Sequence, residues 1–219
     1  PLKTSGWADP EELNGGGRRW AEALVDSVAD ESPLAGQLLI VDCANGATSA
    51  FAEDVLQRLG AEVVVLHASP DGRNINQDCG STCPDDLREA VLGVGADAGL
   101  AFDGDGDRVV LIDNKGKILD GDDIMYILAY ANPNRTGPWS GIVGTTMSNL
   151  GFEDGIKKLG YKFKRAEVGD KHVSQMLQKE GWLLGGEPSG HIICRDLVST
   201  GDGTIAALKV ISSLLMLDK

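Results

Sequence analysis

Two apolar, β-branched runs, LLIVD at 38–42 and EVVVLH at 62–67, flank a segment in which Phe51, Val55, Leu56 and Leu59 fall on one helical face. Short apolar runs of this kind read as strands, and the segment between them has the period of a helix. A polar loop follows, then a helix opened by Pro84 and two aspartates, the run DAGLAF (97–102), a loop of aspartates, RVVLID (108–113) and a turn at NKG (114–116). From about residue 120 the order begins again. A helix around DIMYILAY leads to strand GIVGTT, helix NLGFEDGIKKLG, strand YKFKRA, helix DKHVSQMLQKEG, strand WLLGG, a loop, strand HIICRD and a last helix from about Asp202. Glycine is 29 of the 219 residues, close to twice its usual ~7% share, and much of it stands at the ends of these runs. The pattern predicts two α/β domains, residues 1–118 and 119–219, each of ordinary domain size.

The consequence for function is positional. DGDGDR in the first half and GEPSG in the second occupy one slot, the loop leaving the third strand of each unit. Ligands of open α/β sheets gather beyond the carboxyl ends of strands. Two different loops are therefore expected to face one cleft.

In AFDGDGDR the carboxylates of Asp103, Asp105 and Asp107 alternate with glycines that let the backbone curl. Like charges this close repel unless a cation lies among them. Three carboxylate oxygens suit Mg2+, with other positions left to water or phosphate. An EF-hand shares the opening residues but needs Gly at its sixth position and Glu at its twelfth, where this chain has Arg108 and Asn114. A solvated Asp/Gly hairpin is the other reading. Arg108, beside the acids, points to a phosphoryl oxygen or phosphate as the missing ligand. In GGEPSGH (185–191), Glu187, Ser189 and His191 supply an acceptor, a donor-acceptor and a switchable group, a set fit to hold sugar hydroxyls, although the same Gly and Pro also suit a plain strand connection. Lys171 stands at a helix start, where a surface lysine and an anion ligand are both open. His67 and His172 read as structural or solvated, and Ser148 as a helix-entry residue.

Composition narrows the classes. A net charge of −13 without a long like-charged run argues against nucleic acid as a partner. Cys43, Cys79, Cys83 and Cys194 form no CxxC pair, as expected of reduced thiols in a cytoplasmic protein. No apolar run reaches the ~18 residues of a membrane span, and PLKTSGWADP has neither part of a secretion signal.

These motifs resemble the α-D-phosphohexomutase superfamily. AFDGDGDR is similar to its metal-binding loop and GGEPSGH to its sugar-binding loop, while VDCANGA (41–47), DGRNINQDCGST (71–82), GTTMSNLG (144–151) and TGDG (200–203) are similar to its glucosamine branch. The resemblance covers nearly the whole chain. It implies two three-layer α/β domains with mixed, mostly parallel sheets, the second and third of the family's four. The family's first domain carries a phosphorylated serine in a T-A-S-H-N-P loop and its fourth a phosphate-gripping R-x-S-G-T loop; neither motif occurs here. The missing first and fourth domains are thus expected partners, and the chain alone is expected to be inactive.

Carried over, the resemblance makes Asp103, Asp105 and Asp107 ligands of Mg2+, with the absent phosphoserine as a further ligand, and sets Arg108 near the transferring phosphoryl group. Glu187 and Ser189 would hold sugar hydroxyls, with His191 beside them and Lys171 reaching a phosphorylated hexosamine. The implied reaction interconverts glucosamine 6-phosphate and glucosamine 1-phosphate through a 1,6-bisphosphate. The family usually has Asn where this chain has Pro188, and Arg-Tyr where it has Lys171-His172. A mannose or glucose phosphate as substrate, or a non-catalytic Mg2+ or sugar-phosphate module, therefore stays open.

Overall fold

A computed structural model describes residues 16–26 and 33–217. The N-terminal stretch PLKTSGWADP lies outside the described residues. Helix α1 (Gly16–Asp26) precedes strand β1 (Leu38–Asp42), α2 (Ala52–Arg58), β2 (Glu62–Leu66), α3 (Asp85–Val94), β3 (Ala98–Phe102), β4 (Val109–Asp113) and β5 (Ile118–Leu119). The second half runs α4 (Gly121–Ala131), β6 (Gly141–Thr145), α5 (Leu150–Lys158), β7 (Lys162–Ala166), α6 (Asp170–Glu180), β8 (Leu184–Gly186), β9 (Ile192–Cys194) and α7 (Gly203–Leu217).

The first sheet has the order β2-β1-β3-β4-β5 and the second β7-β6-β8-β9. In each, the first three strands are parallel, with Val41 beside both Val65 and Leu100, and Ile142 beside both Phe163 and Leu184. The strand after the loop, β4 or β9, returns antiparallel. Both halves thus have the mixed, mostly parallel sheets expected.

The central strands are buried because helices cover both faces. Ile40, Ala101 and Ile112 pack under Leu87 and Val91 of α3, and Val143 and Ile193 under Val173 and Leu177 of α6. The opposite faces of the two sheets share one core, in which Leu39, Leu100 and Leu111 join Ile142, Leu184 and Ile192 through α4 and α7. On the outer faces two strand glycines permit close packing: a Cβ at Gly99 would fall 2.8 Å from the Val91 side chain, and one at Gly141 would fall 2.3 Å from the Trp182 ring.

Helix ends follow local chemistry. Asp120 accepts from the N–H groups of Asp122 and Asp123 while Asp123 reaches back to Asp120, a capping box that starts α4. α3 and α6 stop at the left-handed residues Gly95 and Gly181. Pro84 takes the capping position of α3, one residue before the first turn. WLLGG and HIICRD keep only three ladder residues each, because Leu183 N–H turns away to Pro138 O, although Arg195 N–H still reaches Leu183 O. The four cysteines are unbridged.

Candidate functional site

Between β3 and β4 six residues, DGDGDR, must reverse the chain. Gly106 does so at φ 77°, donating its N–H to Asp103 O at 3.1 Å, while Arg108 N–H reaches Asp103 Oδ1 at 3.1 Å. The loop is gripped from its flanks. Ala47 N–H donates to Gly104 O at 2.8 Å, and a Cβ on Gly46 would lie 2.2 Å from that same oxygen. On its other side a Cβ at Gly104 would fall 2.5 Å from Ile75.

This clamp brings one carboxylate oxygen each of Asp103, Asp105 and Asp107 within 4.8 Å of one another. Burial pushes the Asp103 carboxyl up to about 6; the Arg108 N–H opposes that push, and the charges of Asp107 and Asp105 add to it. Arg108 Nε lies 3.6 Å from Asp103 Oδ2 and 3.7 Å from Asp107 Oδ1, yet it is buried without a hydrogen-bond partner. The loop therefore offers hard oxygen donors for a divalent cation and one N–H for an anion.

The second loop, from β8 to β9, closes on the first. Glu187 N–H donates to His191 O and Gly190 N–H to Glu187 O, and Val109 N–H crosses to Gly190 O at 3.1 Å. Arg108 and His191 form an isolated antiparallel bridge. The buried His191 ring sets Nδ1 3.1 Å from Asp107 Oδ2. Gly190 sits at φ 94°, and a side chain there would strike Val109 O. The buried Glu187 accepts from Gly169 N–H, at the start of α6, at 2.9 Å. Ser189 is exposed on the same loop.

Asp103, Asp105, Asp107, Arg108 and His191 thus converge, with Glu187 and Ser189 on the adjoining loop. Lys171 is exposed in the first turn of α6, and among the described residues no hydrogen bond or ion pair ties its side chain to the loops. Sequence reasoning gave a role to the glycines within DGDGDR but none to Gly203 and Gly121, which bring other segments against the two loops. Gly203 N–H donates to Gly106 O at 2.9 Å, and Gly121 N–H to Pro188 O at 3.0 Å. Their only signal was their place in the glycine-containing segments TGDG and DGDD.

Residues 18–116 match the family model for phosphoglucomutase/phosphomannomutase alpha/beta/alpha domain II, and residues 120–219 match that for domain III. A phosphoglucosamine mutase of Cellvibrio japonicus is 52% identical over 184 residues, which are 84% of this chain and 41% of that protein. One from Legionella pneumophila is 48% identical over 207 residues, 94% of this chain and 46% of its own. The chain thus spans less than half the length of these curated relatives. Among solved structures, a phosphoglucomutase/phosphomannomutase family protein of Burkholderia thailandensis has a TM-score of 0.78 at 24% identity, over 91% of this chain and 44% of that one. An Aspergillus fumigatus N-acetylphosphoglucosamine mutase, in complex with GlcNAc-6P and magnesium, has a TM-score of 0.70 at 19% identity, over 93% of this chain and 47% of that one.

Proposed function

Because the chain belongs to the phosphoglucomutase/phosphomannomutase family, we propose that it is the metal- and sugar-binding portion of a phosphoglucosamine mutase, an enzyme interconverting glucosamine 6-phosphate and glucosamine 1-phosphate. The observation that carries this is the junction of the two loops, with Asp107 Oδ2 3.1 Å from His191 Nδ1. It joins an acidic cation cradle to a polar loop of the kind that grips hydroxyls. Relatives about half identical to this chain and named phosphoglucosamine mutases favour glucosamine over mannose or glucose.

Asp103, Asp105 and Asp107 fit Mg2+ by donor chemistry, since all are hard carboxylate oxygens and a cation offsets the repulsion that raises Asp103. Bound there, the ion would supply Lewis-acid polarisation of a phosphoryl oxygen. Arg108 offers its unpartnered Nε–H to the same group. Glu187 and Ser189 hold the sugar through its hydroxyls, contacts that serve either orientation of a 1,6-bisphosphate, and His191 braces the metal loop against the sugar loop. Lys171 is assigned to a substrate phosphate. The phosphoserine and the distal phosphate grip are assigned to further domains, and the division at 118/119 to the boundary between the two present here. A cytoplasmic location is part of the proposal; no helix among the described residues is long and apolar enough to cross a membrane.

A chimera tests the reading. With this chain in place of the matching region of the Cellvibrio japonicus relative, glucosamine 6-phosphate should turn over faster than mannose or glucose phosphates. Changing Glu187→Ala should lower kcat/KM by about 3 kcal/mol, or some hundredfold, because a polar partner is left unpaired, while Mg2+ affinity is kept. Normal kcat/KM in the mutant would make GGEPSGH a plain connection.

A further inference from the structure

A second group of metal-ligating side chains lies behind the clamp, outside the site described above. Asp42, at the end of β1, is fully buried, with Oδ1 accepting from Ala44 N–H and Oδ2 from Gly80 N–H, each at 2.8 Å. His67, one residue past β2, sets Nδ1 3.1 Å from Asp42 Oδ2 and Nε2 3.4 Å from Asp86 Oδ2. Cys79 is fully buried, and its Sγ accepts from Asn45 Nδ2 at 3.8 Å. One ligand atom from each of Asp42, His67 and Cys79 lies within 4.8 Å of the other two.

The contact between His67 and Asp42 is unusual. Despite its 3.1 Å separation from a carboxylate oxygen, His67 Nδ1 is buried with no hydrogen-bond partner. If the ring proton is on Nε2, facing Asp86, then Nδ1 turns a lone pair towards an anion, and that contact repels unless a cation lies between them. The surrounding backbone is strained as well. Among the described residues, the non-glycine positions with positive φ are Ala44, Asn45, His67, Asn76 and Asp78, all in the two connections, after β1 and after β2, that enclose these ligands.

We propose that Asp42, His67 and Cys79 form a second metal site, for a borderline-soft divalent ion of the zinc class bound by these three side chains and water. Imidazole and thiolate ligands favour Zn2+ over Mg2+, whereas the all-oxygen aspartate loop has the opposite preference. The ligand edges of a tetrahedral zinc with such bond lengths are about 3.3–3.8 Å, so small side-chain adjustments close the site. Asp86 is the outer partner that fixes the Nε2–H tautomer, as carboxylates do behind zinc-bound histidines. Cys79, whose thiol burial holds above its ordinary pKa, releases its proton to solvent on binding. The ion joins the end of β1, the end of β2 and the 71–82 loop; the connection after β1 holds the aspartate loop through Ala47 N–H to Gly104 O, and the 71–82 loop holds the end of β3 just before it through Ser81 N–H to Phe102 O.

Cobalt tests this directly. Titration of the 219-residue chain with Co2+ in excess Mg2+ should show one equivalent with thiolate-to-cobalt absorption, displaced by Zn2+ and not by more Mg2+. Cys79→Ser should abolish the band. His67→Gly, suited to the left-handed backbone, should stay folded by circular dichroism and weaken Co2+ binding about tenfold or more. Asp105→Ala should leave band and affinity unchanged. No band in the wild type, the result expected if His67 is an imidazolium clamped between two carboxylates, would overturn the proposal, as would a band that survives Cys79→Ser or one lost in Asp105→Ala.

Discussion

At Asp103, burial and then the neighbouring Asp107 and Asp105 charges outweigh the Arg108 N–H and hold the carboxyl at about 6. The folded state therefore binds this proton more tightly than the unfolded state does, so stability falls as pH rises from about 4 to about 6 and stays lower above that. A displacement of this size corresponds to at most about 3 kcal/mol. Without metal, Asp103→Asn should melt above the wild type at pH 7.5, and the difference should vanish as pH falls towards 4. Added Mg2+ should stabilise the wild type and not the mutant. Thermal melts across pH check both halves, and an Asp103→Asn protein less stable than wild type at pH 7.5 would refute the account. The acids were legible in the sequence because charge crowding is a local property of Asp103–Asp107. The approach of His191 was not, because 84 residues separate it from Asp107.

Among the elements, the strands and most helices were legible from apolar runs, since a core packed on both faces of a sheet must be written in side chains. β5 has two residues, too few for any period, and α1 opens on Gly16 and Gly17, poor helix formers. The seams between loops escaped for a related reason. At Gly46–Gly104, Gly106–Gly203 and Gly121–Pro188 the partners are backbone atoms, and the sequence records only the missing side chains. Gly121 allows a measurement of what such a seam contributes. It is the first residue of α4, where alanine has the better helix propensity, but a Cβ there would lie 2.0 Å from Glu187 O. Gly121→Ala should thus cost about 1–3 kcal/mol in urea unfolding through overpacking. Gly93→Ala in α3, where an added Cβ meets nothing within 4 Å, should stabilise by about 0.5–1 kcal/mol. Equal effects at the two sites would mean that the sugar loop yields freely.

Across the whole molecule, the two sheets are repeats in topology that share their largest core, although each also keeps a smaller cluster of its own under α3 or α6. α7, the last element in sequence, packs against α4 and β9 of its own half and also against β3 and β4 of the first. Leu208 is 2% exposed within the core that contains Leu111 from one sheet and Ile192 from the other. Both halves of the proposed site hang on this shared layer, because β4 and β9 are the strands that receive the two loops. Unfolding one half would expose the apolar face of the other, so the described residues should unfold as one cooperative unit. Single-tryptophan versions that keep Trp20 in the first half or Trp182 in the second should give coincident denaturant transitions. Leu208→Ala, leaving a cavity in the common layer, should lower stability by about 2–5 kcal/mol and shift both probes equally. Two separated transitions, or a shift confined to the Trp182 probe, would show that the halves are energetically independent and that only the short backbone seams between the loops hold the site together.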